Sequence, residues 1–422
     1  MSTNNGGRAL GIASVATLLT ITACGGDGDG DAPGDSGAQE GPQTLTVWHY
    51  QSEDAQVELM DTYAEEFEAQ RDDVTVENVY VPYDQMNSRL VNAAGAGEGP
   101  DVAFFNGAET SIIALGGALT PINDYWDSFD DADLVQESVL HQIDGDIYAV
   151  QGYVNLLGLW YNAEILDELG EEPPTTIDEL ESAMGAAEEA GYRGITLTGL
   201  PNSQGEWQAY PWLTAAGFSY ESPDEEALVE ALTRAETWVD EGWLSQEAVT
   251  WDQTVPFQEW ASGDTAFAVN GNWQRGNAEA DADFDYGVAP LPLGESGGVY
   301  LGGEGQGIGV NSENPDLAWD YLESTLLDAE GQLHALEIVG SLPSRSDSAE
   351  DDLVTEDEIL SAFSETVTEL GANYPDTVLP PEAVGDVQVS MAQAWSAVIG
   401  KQSSPEEAAA EAMATLESLL EQ

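Results

Sequence analysis

The sequence predicts an α/β fold whose core is a parallel, helix-covered sheet, and three observations predict it. Strand-like and helix-like segments alternate in β-α-β-α-β order from Leu45 to Phe105, the pattern that links parallel strands through crossover helices. The 422 residues are 42% hydrophobic, enough to bury real cores in two or three domains of roughly 100 to 200 residues each. Twelve Trp, fifteen Tyr and nine Phe set the chain apart from acidic sequences that stay unfolded for want of apolar surface to bury.

Taken in order, Leu45-Thr46-Val47-Trp48-His49 is a short β-rich run, and Val57, Met60, Tyr63, Ala64 and Phe67 then recur at helical spacing across residues 54–70. Residues 74–81 form a second strand, 83–94 a second helix, and 101–105 a third, buried-looking strand after Gly99-Pro100. Ligands of such sheets bind beyond the carboxyl ends of the strands. Trp48 and His49 after the first strand, and Asn106 and Gly107 after the third, therefore stand where a ligand would be met.

The rhythm continues with a strand at 147–150, an apolar run at 154–161, a helix at 176–190 and a strand at 195–198. Trp207, Tyr210 and Trp212 cluster ahead of an apolar segment and a helix at 224–241. Residues 257–262 read as helical and 265–269 as a strand, followed directly by Gly271-Asn272-Trp273. Prolines keep 286–292 extended. Residues 302–307 read as a glycine-rich loop before a strand at 308–310, and the last helices include 315–327 and 405–420. No repeat with a period of about 20 to 50 residues is visible.

Charge excludes whole classes of partner. Eight Lys and Arg against 80 Asp and Glu give a net charge of -72, which leaves no basic clusters for nucleic-acid phosphates or an anionic membrane surface. His49, His141 and His334 lie far apart and Cys24 is the single cysteine, so no metal site, cofactor or internal disulfide is expected. An acid excess of this size reads as adaptation to concentrated salt, where the Debye length shrinks to roughly 3 Å at 1 M.

The N-terminus carries Arg8, then an apolar, small-residue run over 9–23 that is too short to span a bilayer and reads as the core of a signal peptide. Ile21-Thr22-Ala23-Cys24 resembles a bacterial lipobox, which implies a signal peptide of residues 1–23 and a lipid on Cys24. Residues 24–42, rich in Gly, Asp, Ser and Pro, have nothing to bury and read as a flexible tether. The expected location is the extracellular face of the cell membrane, held by the lipid alone.

Several ordered motifs carry a wider resemblance: Leu45-Thr46-Val47-Trp48, Gly99-Pro100-Asp101-Val102, Leu119-Thr120-Pro121-Ile122, Ile147-Tyr148-Ala149-Val150, Leu159-Trp160-Tyr161-Asn162, Pro174-Thr175-Thr176, Gly271-Asn272-Trp273, Tyr286-Gly287-Val288-Ala289-Pro290-Leu291-Pro292 and Ser341-Leu342-Pro343-Ser344-Arg345. Their order over 43–422 resembles the extracellular solute-binding proteins of ATP-driven (ABC) importers, in the sugar-binding group that includes maltose-binding protein. The resemblance implies a periplasmic-binding-protein-like fold of two α/β lobes, with a hinge and a ligand cleft between them. Lobe one would take 43–152 and 291–345, lobe two 153–290 and 346–422. Asn155 would lie at the first crossing between lobes and 286–292 would form the second.

It also implies a sugar or oligosaccharide ligand and, as partners, a pair of membrane permease subunits with a separate ATPase. Sugars present flat C–H faces edged with hydroxyls, which call for aromatic platforms and polar groups around them. By the resemblance, residues 204–212 match an aromatic stacking loop and Trp273 a second stacking position, so Trp207, Tyr210, Trp212 and Trp273 are the candidate platforms. Ordinary core packing is the plainer reading of each. Trp48, His49, Asn106, Asn155 and Glu304 are the polar and lobe-one candidates. Arg345 reads equally as a ligand contact or as a structural ion-pair partner.

Other chemistries find little support. Residues 302–307 lack the lysine of a phosphate loop and precede a strand instead of a helix. No nucleophile elbow, metal cluster or reactive thiol is present, and among 80 carboxylates sequence pairs cannot mark a glycosidase. The expectation is a binding protein and not an enzyme. The alternatives are a binding protein for a solute such as a quaternary ammonium compound, held by cation–π attraction, and a carbohydrate-active enzyme.

Overall fold

Alternation builds the first strand: Leu45, Val47 and His49 are buried, with less buried residues between them. A computed structural model describes residues 43–372 and 378–420; Cys24, the signal peptide and the tether lie outside the described residues. The first sheet has the order β2-β1-β3-β12-β5-β4. It comprises β1 (Gln43–His49), β2 (Val74–Tyr80), β3 (Val102–Asn106), β4 (Leu140–Ile143), β5 (Asp146–Val150) and β12 (Glu304–Ile308). β1 runs parallel to both β2 and β3, as the alternating order of segments predicts. Phe104 belongs to one apolar cluster and Phe105 to another, so this sheet is buried on both faces.

Helix α1 (Asp54–Ala69) follows β1, and α2 (Met86–Ala96) follows β2. Phe67 of α1 meets Tyr321 edge to face at 5.2 Å, and Tyr63 Oη donates to the carbonyl of Gly331 at 2.8 Å.

The second sheet has the order β10-β7-β9-β8 and comprises β7 (Leu157–Asn162), β8 (Arg193–Thr196), β9 (Thr265–Gly271) and β10 (Tyr286–Ala289). Helices α3 (Ile177–Ala190), α4 (Ser203–Ala215) and α5 (Glu225–Asp240) belong to the same half. Later come α6 (Pro315–Thr325), α7 (Ala329–Val339), α8 (Glu358–Leu370), α9 (Val384–Ile399) and α10 (Pro405–Leu420). α6 and α7 pack on α1, whereas α9 and α10 pack on α4 and α5. The chain thus returns to the second half at its end.

Three segments pass between the halves, and they are knitted together. β6 (Tyr153–Val154) in the first pairs with β13 (Leu342–Pro343) in the third. Asn155 of the first exchanges both backbone hydrogen bonds with Gly302 of the second, at 2.7 and 2.8 Å. Just before Gly302, β11 (Val299–Tyr300) pairs with β14 (Gly371–Ala372).

Two segments differ from the sequence reading. Of the glycine-rich residues 302–307 expected as a loop, 304–307 belong to β12, a fully buried strand antiparallel to β3. A Cβ on Gly305 would come within 2.8 Å of the Phe105 ring, so glycine is there for close approach and not for a turn. Residues 286–289, expected as part of a crossing, are β10 inside the second sheet, and the passage follows them.

Candidate ligand-binding site

Tyr50 and Gln51 emerge where β1 ends, and Gln56 Oε1 then accepts the Glu53 N–H at 3.3 Å as α1 begins. β3 ends at Asn106, whose Oδ1 accepts the Ala108 N–H at 3.1 Å and whose Nδ2 donates to Tyr83 Oη at 2.7 Å. The antiparallel register sets Glu304, the first residue of β12, directly opposite Asn106. Tyr50 Oη donates to Glu304 Oε1 at 3.0 Å and Asn155 Nδ2 to Oε2 at 3.4 Å. Burial pushes the Glu304 carboxyl above the usual range, while hydrogen bonds from Tyr153, Tyr50 and Gln51 act the other way. The group is a desolvated acceptor held by neutral donors.

From the other half, Asn202 caps α4 by accepting the Gln204 N–H at 3.1 Å, and the helix carries Trp207. β9 leads through Gly271 to Trp273, and a Cβ on Gly271 would fall 1.9 Å from the indole. The absence of a side chain at Gly271 therefore lets the Trp273 ring lie against the backbone there. Asn272 Oδ1 accepts the Leu156 N–H at 2.9 Å, and its Nδ2 donates to Asn155 Oδ1 at 2.9 Å and to the Gly340 carbonyl at 2.8 Å. Ser341 Oγ adds a bond to Asn155 Oδ1 at 2.8 Å. Asn155 thus ties crossing segments together while its amide reaches Glu304.

These groups border a cavity of about 310 Å³, at the lower end of the roughly 300–1,000 Å³ typical of small-molecule sites. Tyr50, Gln51, Glu53, Tyr83, Asn106 and Glu304 line it from the first half, and Gln204, Trp207, Asp252, Gln253, Trp273 and Gln274 from the second; Tyr153, Asn155 and Ser341 sit between. Five of the residues singled out in the sequence are brought together here: Asn106, Asn155, Trp207, Trp273 and Glu304.

The other five stand elsewhere. Trp48 lies on the opposite side of β1 from His49, with the Arg89 guanidinium 4.6 Å from its ring centroid. His49 is buried beside Tyr80, and burial pushes its pKa down. Tyr210 stacks on Tyr300 at 3.7 Å, behind Trp207. Trp212 is fully buried, edge to face with Trp238 at 4.8 Å. Arg345 Nη1 meets Asp131 at 3.0 Å and Nη2 meets Asp347 at 2.8 Å, an ion-pair cluster with its guanidinium buried. The stretch at 204–212 is helix and not loop, so Trp212, five residues after Trp207, projects from a different face.

Sequence reasoning missed Tyr50, Gln51, Glu53, Tyr83, Tyr153 and Asp252 among the lining residues. Tyr50 and Gln51 had a usable signal, because the ends of parallel strands point to the cleft and both follow His49 directly. Asp252 has none, being one acid among 80.

A family model described as bacterial extracellular solute-binding protein matches residues 62–362. The maltotriose-binding protein of Pyrococcus abyssi (strain GE5 / Orsay) is 25% identical over 354 residues, covering 78% of this chain and 73% of its own length. The diacetylchitobiose binding protein DasA of Streptomyces coelicolor is 27% identical over 344 residues, covering 76% and 77%. Among solved structures, the GacH receptor of Streptomyces glaucescens GLA.O, determined unliganded and in complex with acarbose and an acarbose homolog, superimposes with a TM-score of 0.82. Its identity is 26%, and the match covers 91% of this chain and 100% of that one.

Proposed function

The chain belongs to the bacterial extracellular solute-binding proteins, and from that premise we propose that it captures a sugar or short oligosaccharide and delivers it to an ABC-type importer. The observation that carries this is the cavity itself, with indoles of Trp207 and Trp273 on one side and the Glu304 carboxyl and Asn106 amide on the other. Rings can take the C–H faces of a sugar while carboxyl and amides take its hydroxyls. Relatives named for binding maltotriose and diacetylchitobiose support the same ligand class.

The lobes divide as 43–152 with 291–345 and 153–290 with 346–422, a division supported by the two sheets, which draw their strands from those stretches. Closure is driven only by the extra contacts that ligand makes in the closed state. The loaded form meets a permease pair powered by a separate ATPase. Cys24, following Ile21-Thr22-Ala23, carries the lipid that tethers the protein outside the cell, and the excess of acids suits it to high salt. Among the described residues no helix is long and apolar enough to cross a membrane.

Calorimetric titration of the protein with malto- and chito-oligosaccharides tests the reading, and micromolar binding to a member of either series is the expected result. One observation favours a second reading: Glu53, Asp252 and Glu304 line the cavity with the two indoles, and among the described residues no Lys, Arg or His does. Such a lining also suits a quaternary ammonium ion. Binding of choline or betaine with no response to any sugar would establish that reading instead, and release of hydrolysis products from an oligosaccharide would point to an enzyme.

A further inference from the structure

Glu206 is fully buried on α4, one residue before the cavity-lining Trp207. Tyr220 Oη and Tyr300 Oη each donate to its Oε1 at 2.8 Å, and Gln388 Nε2 on α9 donates to Oε2 at 3.3 Å. The groups that face it are thus the phenols of Tyr220, Tyr300 and, from its own helix, Tyr210, with the Gln388 amide. Glu206 is the one charged residue on α4, and α5 packs there through apolar contacts such as Trp238 on Trp212. Among the described residues no cation pairs with the carboxyl. Burial lifts it to about 7, against the pull of the three hydrogen bonds.

Tyr300 passes the contact onward. Its ring stacks on Tyr210 at 3.7 Å and leans on Trp207 at 5.6 Å. It also belongs to β11, in the segment that carries the chain to Glu304. One carboxyl therefore fastens the platform on α4 to the strand that brings the cavity's own carboxyl.

We infer that Glu206 is a positioning residue for the binding site, and that the proton it holds sets how firmly Trp207 is backed by Tyr300. This rests on the reading of the cavity as the ligand site. Protonated, the side chain accepts both phenols without a buried charge, and its own hydroxyl can donate to the Gln388 amide turned about. Ionised, it is an uncompensated charge that favours loosening of the box. Ligand is then held more tightly on the acid side of neutrality.

Two measurements test this on the whole protein. The first needs no ligand: the difference in fluorescence between the parent and Trp207→Phe, followed from about pH 5 to 9, should titrate with a midpoint near 7, the pKa burial gives Glu206. In a Glu206→Gln background, which keeps the shape and cannot ionise, the same difference should stay flat. The second is affinity for maltotriose and N,N′-diacetylchitobiose, falling in the parent by up to about tenfold per pH unit above the midpoint and varying less in Glu206→Gln. Tyr300→Phe removes a donor to the ionised carboxyl and should move the fluorescence midpoint upward. A Trp207 signal that fails to titrate, or titrates alike in Glu206→Gln, overturns the inference. If neither sugar binds while the signal follows Glu206, the positioning role stands and the sugar reading falls.

Discussion

Glu206 and Glu304 are both buried carboxyls with no cation beside them among the described residues, yet one is sealed among phenols and the other forms part of the cavity wall. Both solve the same problem: a carboxyl taken out of water with no cation beside it must find donors elsewhere, and tyrosine hydroxyls and amides take that place. Glu206 spends its acceptor capacity on Tyr220, Tyr300 and Gln388 and shows no surface. Glu304 keeps 7% exposure and faces a cavity. The difference teaches that in so acidic a protein a functional carboxyl is recognised by what its lone pairs still have room to accept and not by its charge.

That contrast has meaning only if the cavity binds ligand, and Trp273→Ala is the strongest way to break it. Removing the platform deletes apolar area and shape, an expected loss of about 2 to 4 kcal/mol, or roughly 30- to 1000-fold in affinity. The unfolding transition should move little, because the ring is only partly buried. Calorimetry with the identified ligand checks it. Wild-type affinity in this variant would make Glu304 one more structural carboxyl.

The next largest effect separates the two carboxyls by stability. Glu206 is raised from 4.5 to about 7 in the folded protein, so the folded state holds the proton more tightly than the unfolded chain. Its contribution is fully present below about pH 4.5, declines as pH rises toward 7 and is lost above it. The span corresponds to about 3 kcal/mol. Chemical unfolding at pH 5 and pH 8 should show the parent losing most of that amount relative to Glu206→Gln, which is expected to be the more stable protein at pH 8. Parallel behaviour would mean the carboxyl is not sealed as described.

How much of this was legible in the sequence depended on whether side chains carried the signal. The β-α-β-α-β order was readable because apolar residues in β1 and α1 repeat at the periods of strand and helix and β3 is a short continuous apolar run, and the two-lobe fold followed from the order of motifs. β12 was not, because Glu304-Gly305-Gln306-Gly307 has the composition of a loop; its burial comes from Phe105, Leu119 and the Tyr148 carbonyl filling the places of absent side chains. At the site, Trp207, Trp273, Asn106, Asn155 and Glu304 converge on one cavity, whereas Trp212 and Arg345 went elsewhere for reasons that composition hides. Trp212 follows helical phase, and Arg345 was claimed by Asp131 and Asp347. Nothing marked Glu206 among 80 acids, since its partners arrive from positions 220, 300 and 388.

Glu304→Gln sharpens the comparison from the other side. The amide keeps the shape but replaces a charged acceptor, so ligand hydroxyls should lose about 1.5 to 3 kcal/mol, roughly ten- to hundredfold in affinity. The loss should shrink toward acid pH, where burial helps the carboxyl keep a proton, whereas the effect of Glu206→Gln is a gain in affinity over the parent on the alkaline side. Affinity profiles of the two variants measured side by side check this. An unchanged affinity for Glu304→Gln would place the polar recognition on other groups, such as Asp252 or Gln274.

The smallest effect is expected at Asn106, which lies opposite Glu304 in the sheet and also faces the cavity. Its Nδ2 already donates to Tyr83 at 2.7 Å and its Oδ1 already accepts from Ala108 at 3.1 Å. Only the second amide hydrogen and the second lone pair are left for a ligand. Asn106→Ala should therefore weaken binding by about 0.5 to 1 kcal/mol, or two- to fivefold. The same change removes the cap on the short turn at Gly107–Glu109, a cost to stability of about 1 kcal/mol. Calorimetry and thermal unfolding on one preparation separate the two, and the unfolding shift should be the clearer of them. A hundredfold loss of affinity would reverse the ranking, making the amide and not the carboxyl opposite it the principal polar contact, and would show that ligand displaces Tyr83 from Asn106 on entry.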